Sequence, residues 1–395
     1  MRHLFLAGLF ALATAVPAVS QTTPIANVYV QTKSGVRVYN AAPSGQLTLV
    51  AGSPFYASGQ MEAVRGTSYL ISVGTNYLHS YKLKSSGGVG SQVTQINTAS
   101  YGGGQCGTTA GLSGNILDKT GQYFTVQLWG AEDSNGNPIC SAYQTYKLSS
   151  TGYFTYLGVA ENTTIGYRYP SNLYIDTYSS NDLFAYGAGQ TDPYASQFYA
   201  FKRASAGDLV SNASFTWKGP TPNPSDGTNY FPLSVAADPS SHLAVVMDLP
   251  FSSTDGFWLA SFSINDTTGA ISSSNTYANL PKLDVYPSSI AMSPSGKVVA
   301  VGGSPGLQLF HFNGSSAPTL YKGNLFSSTS NPNVNQVAWD NSNHLYALSY
   351  DTGYLHATAK LYVFTVTSTN VTAAPGSPYT ITGSYGAKGL IVVPR

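Results

Sequence analysis

The amino-acid sequence predicts an all-β protein, a seven-bladed β-propeller of four-stranded blades whose ring is closed by pairing the C-terminal strand with the N-terminal blade. Three features of the chain lead there. A two-strand phrase recurs, an aromatic-rich strand follows each copy, and the termini hold complementary pieces of one further copy.

The phrase is clearest at "YPSSIAMSPSGKVVAVG" from Tyr286, and returns at "YPSNLYIDTYSSNDLFAYG" from Tyr169 and "FPLSVAADPSSHLAVVMD" from Phe231. Each copy runs aromatic, proline, alternating apolar strand, polar turn, second apolar strand. Proline is tolerated at a strand start, where no ladder donor is required. Further copies stand at "GLSGNILDKTGQYFTVQLWG" from Gly111, "VNQVAWDNSNHLYALSYD" from Val334 and, more weakly, "QMEAVRGTSYLISVG" from Gln60. The turns fall at Gly66-Thr67, Thr120-Gly121, Ser180-Asn181, Ser241-His242, Ser295-Gly296 and Ser342-Asn343, about 47 to 61 residues apart. That period suits four strands per unit and is too long for a single hairpin.

A third strand follows each hairpin: "LHSYKL", "AYQTYKL", "FYAFKR", "WLASFSI", "LQLFHFN" and "KLYVFTV". Most of these lead through a Gly-containing turn into a fourth, as in "YKLSSTGYFTYLGV" and "FSINDTTGAISSSNTY". Six units are therefore internal. The N-terminus offers "NVYVQT", "VRVYNA" and "LTLVAG" without an inner strand, and the C-terminus ends in a lone "KGLIVVP". Pairing Gly389 to Val393 with Asn27 to Thr32 supplies the seventh unit, and closure removes the edges and uncovered faces that an open circle would expose. Two packed β-sandwiches are the competing arrangement. Helical periodicity of useful length is absent, and 40 Gly with 22 Pro punctuate the chain at short intervals.

Composition narrows the function. The 395 residues carry 18 Lys+Arg against 17 Asp+Glu, a formal charge of +1, and charged residues make up only 9%. A typical soluble chain has about a quarter, so no electrostatic footprint for nucleic acid or an anionic membrane is present. Met1-Arg2-His3, an apolar run from Leu4 to Val16 and "PAVSQ" read as a secretory signal cut before Gln21, with Ala18 and Ser20 as its small residues. Residues 1–20 are thus expected to be a signal peptide and 21–395 one propeller domain, secreted or periplasmic. The apolar run is shorter than the roughly 20 residues of a membrane span, and no later segment approaches that length.

Two cysteines, Cys106 and Cys140, suit a disulfide in an exported chain better than a metal site, which wants four ligands. They precede an inner and a third strand of one unit, which puts both on one face. Asn-x-Ser/Thr sequons at Asn162, Asn212, Asn265, Asn313 and Asn370 are about as many as the abundance of Asn, Ser and Thr produces by chance. His242 and His344 occupy the repeated turn where Lys297 stands in another copy, a structural or solvated position. No histidine pair has the spacing of a zinc site, "DSNGNP" lacks a calcium ladder, and no nucleophile elbow, Walker loop or dinucleotide fingerprint occurs. No cofactor and no metal are expected.

The units resemble those of the lactonase-type seven-bladed propellers, the 6-phosphogluconolactonase-like and muconate-cycloisomerase-like proteins. The likeness spans nearly the whole mature chain and rests on "SIAMSPSGKVVAVG" with "LQLFHFN", "SVAADPSSHLAVVMD" with "LASFSINDTTGAI", and "VYVQTKSGVRVYNAAPSGQLTLVAGSPF" echoed by "PGSPYTI". It implies a central polar cleft with His and Arg at the inward starts of inner strands, typically as Pro-His-Ser-Val or Pro-Arg-His-hydrophobic. This sequence departs from that pattern, with Leu233 in "PLSV" and Ser288 and Ser289 in "PSSI". A leucine neither donates to a lactone carbonyl nor moves a proton.

The polar candidates on the cleft face are Glu62, Arg168, Tyr169, Asn172, Tyr230, Ser234, Asp284, Tyr286, Ser289, Asn335, Gln336 and Lys388. Richer in Tyr, Asn and Ser than in charge, the set suits a neutral polyol more than a phosphorylated sugar. Two functional readings remain open. One is a monomeric binding protein for a carbohydrate, a lactone or a surface-protein partner, without hydrolysis. The other is a lactone hydrolase with a rearranged site, in which Arg168 polarises the carbonyl and Glu62 or Asp284 activates water.

Overall fold

The computed structural model describes residues 23–102, 106, 112–129, 141–162, 174–192, 195–222, 230–249, 256–326, 332–350, 359–382 and 389–395. Blade 1 holds β1 (Ala26–Thr32), β2 (Gly35–Ala41) and β3 (Leu47–Leu49); blade 2 holds β4 (Gln60–Arg65), β5 (Tyr69–Val73), β6 (Tyr77–Leu83) and β7 (Val89–Asn97). Blade 3 contains β8 (Leu112–Leu117), β9 (Tyr123–Trp129), β10 (Ser141–Leu148) and β11 (Phe154–Asn162), and blade 4 contains β12 (Tyr174–Tyr178), β13 (Phe184–Asp192), β14 (Ala195–Arg203) and β15 (Leu209–Ser211). β16 (Trp217–Lys218), β17 (Phe231–Ala237), β18 (His242–Asp248), β19 (Phe257–Ile264) and β20 (Ile271–Ser272) build blade 5. Blade 6 comprises β21 (Tyr286–Met292), β22 (Val298–Ser304), β23 (Gly306–Asn313) and β24 (Ser316–Lys322). Blade 7 comprises β25 (Asn333–Trp339), β26 (His344–Tyr350), β27 (Ala359–Val366), β28 (Val371–Ala373) and β29 (Tyr379–Ile381), and the chain ends in β30 (Gly389–Pro394).

The seven sheets form a ring, and β30 completes blade 1 in the order β3-β2-β1-β30. It runs antiparallel to β1, with Ala26 opposite Pro394 and Gln31 opposite Gly389. The innermost strands β4, β8, β12, β17, β21, β25 and β30 each touch the next around the axis. Two additions escape a uniform four-strand expectation. β16 joins blade 5 as a fifth strand, parallel to β20, with Trp217 opposite Ile271; β29 pairs with β27 in blade 7. Strands of two or three residues leave no periodicity to read. The echo between "GSPF" and "GSPY" has a structural cause, since Ser53 Oγ accepts from the Val38 N–H at 3.0 Å as Ser377 Oγ does from Val363 at 2.9 Å.

Burial follows the two-residue period of the strands. In β18, Leu243, Val245 and Met247 pack toward blade 4, while Ala244 and Val246 pack toward blade 6. Seven apolar clusters result, one in each gap between neighbouring blades. The inner hairpins turn on a shared device: Asp118, Ser179, Asp238, Ser293 or Asp340 accepts backbone N–H groups of its own turn. Gly121 and Gly296 take a positive φ there, and Asp182, Ser241 and Asn343 do so in the other copies.

The glycine after the third strand has a steric reason. At Gly207, φ is +100°, and a Cβ would stand 2.1 Å from the Tyr123 ring of blade 3. Gly87, Gly152, Gly269, Gly314 and Gly45 likewise abut the residue near the start of the second strand in the preceding blade: Asn27, Tyr69, Phe184, His242 and His344. Both turn histidines are therefore packing residues. His344 is also fixed by Asp340, 2.8 Å from its Nδ1, and Tyr346 donates to the same carboxylate at 3.0 Å.

Candidate functional site

Each inner strand, β30 included, is entered from the preceding blade, so seven strand starts gather at one mouth of the axial channel. The six in blades 2 to 7 carry a register shift there. The extra residues are Glu62 in β4, Ser113 and Gly114 opposite a single partner in β8, Asp176 in β12, Leu233 in β17, Ser288 in β21 and Asn335 in β25. β30 pairs with β1 without a shift. A bulge releases a residue from the ladder and re-aims it, which makes this circle the natural place for ligand contacts.

Five sequence candidates sit on these bulges or one residue beyond them: Glu62, Ser234, Ser289, Asn335 and Gln336. Ser289 is engaged between blades, its Oγ accepting from the Val337 N–H at 3.2 Å, while Ser288 donates to the Val334 carbonyl at 2.7 Å. Asp284 lies on the loop into β21, and Tyr286 is the first residue of that strand. Gln308 clamps Asp284, its Nε2 donating to the carboxylate at 2.9 Å and its Oε1 accepting from the Asp284 N–H at 2.8 Å. Tyr286 is 69% exposed and meets Phe257 edge-on at 4.8 Å. Tyr230 does not join the mouth; it is buried in the apolar cluster between blades 4 and 5. Arg168, Tyr169, Asn172 and Lys388 lie outside the described residues, as does Cys140. Cys106 is fully buried, and its N–H donates to Glu161 at 2.9 Å.

The electrostatics of the mouth are those of suppressed charge. Burial pushes the Glu62 carboxyl up to about 7, against a side-chain hydrogen bond with Asn115 that pulls the other way. Burial likewise holds Asp176 well above the usual carboxylate range, although backbone N–H groups of Val235 and Ala188 hydrogen-bond to it. Asp176 was not among the sequence candidates. Its signal is the lone acid of "LYIDTY", at the position that Glu62 takes in β4. Asn115 Oδ1, Gln127 Oε1, Asp176 Oδ2 and Gln336 Oε1 are buried without hydrogen-bond partners. Such acceptors cost about 1–3 kcal/mol each unless a donor reaches them. Among the described residues, no group of three His, Cys, Asp or Glu side chains could hold a metal ion, and no helix is long and apolar enough to cross a membrane.

The ring of blades, the bulged mouth and the closing strand can be compared with solved structures. A periplasmic gluconolactonase of Pseudomonas aeruginosa superposes with a TM-score of 0.56 and 13% identity over 93% of this chain and 99% of that one. The likeness is one of fold. KlHsv2 with its loop 6CD replaced by a Gly-Ser linker gives 0.45 at 11% identity, over 89% of this chain and 92% of that one. A eukaryotic initiation factor gives 0.37 at 10%, over 90% and 85%. No family profile matches the sequence, and no curated protein does.

Proposed function

We propose that this chain is an exported propeller of lactonase-like descent, akin to the 6-phosphogluconolactonase-like and muconate-cycloisomerase-like proteins, that binds a neutral, hydroxyl-rich ligand at the mouth of its channel without hydrolysing it. Residues 1–20 act as the leader and 21–395 as one monomeric domain. The observation that carries this reading is the mouth itself. Its bulges present Leu233, Ser288 and Asn335 rather than Arg or His, its Glu62 carboxyl is largely uncharged below about pH 7, and Asn115 Oδ1 and Gln336 Oε1 await donors. Sugar hydroxyls are donors of that kind, and exposed Tyr286 offers a ring for stacking.

Binding to an array of neutral oligosaccharides, together with turnover of a panel of sugar and aliphatic lactones, tests this. The expected result is saccharide binding weakened at least about fivefold by Gln336→Ala, roughly 1 kcal/mol of one hydrogen bond, with no lactone turnover. Turnover that disappears in Glu62→Gln and Arg168→Ala would establish the hydrolase instead. That second reading is favoured by one observation: a carboxyl poised near 7 is a competent base for activating water at neutral pH.

Export also motivates a Cys106–Cys140 disulfide within blade 3. Thiol titration of the denatured, unreduced protein is expected to find no free thiol, and reduction to cost about 3 to 4 kcal/mol. Two titratable thiols would rule the pairing out.

A further inference from the structure

The outer rim of blade 5 carries a cleft of about 430 Å³ that the mouth does not use, lined by Thr216, Trp217, Lys218, Ser263, Asn265 and Ser272 among others. It exists because β16 lies parallel beside β20 and brings Trp217 alongside the β19–β20 turn. That turn begins with Asn265-Asp266-Thr267, an N-glycosylation sequon.

Asn265 has two relevant features, and the second sets it apart from the other sequons, none of whose asparagines lines this cleft. Its side chain is exposed and already oriented, because Oδ1 accepts from the N–H groups of Thr267 at 3.0 Å and Thr268 at 3.1 Å. Nδ2 donates to no described group. At Asn212, by contrast, Nδ2 donates to the Thr268 carbonyl at 2.9 Å. The side chain of Asn162 lies outside the described residues, while Asn313, the last residue of β23, and Asn370, in the loop before β28, are exposed like Asn265. The second feature is the aromatic wall. Trp217 is 36% exposed and held edge-on by Phe198, with ring centroids 5.1 Å apart and planes at 71°. An open indole face beside polar side chains is the surface on which the C–H face of a pyranose packs.

We propose that Asn265 is an N-glycosylation site and that the first N-acetylglucosamine of its glycan packs on Trp217 in this cleft. The inference rests on the export reading above. The co-reactant is a lipid diphosphate-linked oligosaccharide supplied by the secretory route. Transfer forms a bond between C1 of the sugar and Asn265 Nδ2 and breaks the C1–O bond to phosphate. The lipid diphosphate leaves, and the amide proton passes to a base of the transferase. No oxidation or reduction occurs. The turn is reached before folding, and the exposed rim accommodates the product afterwards, covering the indole.

The test is secretion of the full chain from a eukaryotic host, once behind its own N-terminus and once behind a heterologous leader. Site occupancy is mapped by mass spectrometry, and glycan release by a peptide N-glycosidase is timed on the native protein. Asn265 is expected to be occupied, and release there is expected to be about fivefold faster in Trp217→Ala and Trp217→Leu than in the parent, the factor that about 1 kcal/mol of lost stacking gives. An empty Asn265 in protein exported by the heterologous leader, or release rates unchanged in both variants, overturns the proposal. Export by the heterologous leader but not by the chain's own N-terminus sinks the export reading alone.

Discussion

Removal of residues 389–395 is expected to abolish the cooperative thermal transition of the whole protein, not to trim a tail. β30 is the inner strand of blade 1, and it serves both neighbouring gaps: Leu390 packs in the cluster between blades 7 and 1, and Val393 in that between blades 1 and 2. Without it, the β1 edge loses its ladder from Ala26 to Gln31. The final residue adds a clasp, as Arg395 Nε donates to Asn27 Oδ1 at 2.7 Å and its N–H to the Ile25 carbonyl at 2.8 Å. A ring lacking one inner strand exposes an unpaired edge and two apolar faces together. Calorimetry should therefore show no transition in the truncated chain, with exposed apolar surface reported by dye binding. Val393→Ala provides the graded control: it should fold and lose on the order of 2 kcal/mol. A truncated chain melting like the parent would end the closure account.

The second large effect is in pH. Glu62 has a folded pKa of about 7 against a usual value of 4.5, so between those values the folded state holds a proton that the unfolded state has released. Stability must then fall as pH rises from about 4.5 to 7 and level off above, by about 3 kcal/mol at most for this group. Asp176, also raised, contributes in the same direction. Denaturant unfolding at pH 5 and pH 8 reads the difference directly. Glu62→Gln should be flatter across that window than the parent, because its amide does not titrate. An unchanged slope would show that Glu62 is an ordinary solvated carboxylate.

Much of the architecture was legible because it is repeated. Six hairpins, six aromatic third strands and the complementary termini needed only alternation and turn chemistry, and the ring from β1 to β30 follows that reading. Glu62 was visible for a similar reason, as an acid inside the apolar "QMEAVR". Asp176 is an equally plain acid in "LYIDTY", but nothing in one strand says that its carboxyl will end in a gap between blades against Val235. Tyr230 went the other way: a loop tyrosine by sequence, it is core by packing, buried among apolar side chains of blades 4 and 5. The rim cleft depends on a two-residue strand that leaves no pattern at all.

What the sequence determined by itself is the count, order and closure of the blades, because period-2 burial and turn residues are local properties that each copy states independently. What only the tertiary structure decided is which polar groups share the mouth, which carboxyls lose their charge and where Trp217 meets Asn265. Those outcomes depend on desolvation and on contacts between residues far apart in the chain, and burial by a neighbouring blade is not written in the strand it buries.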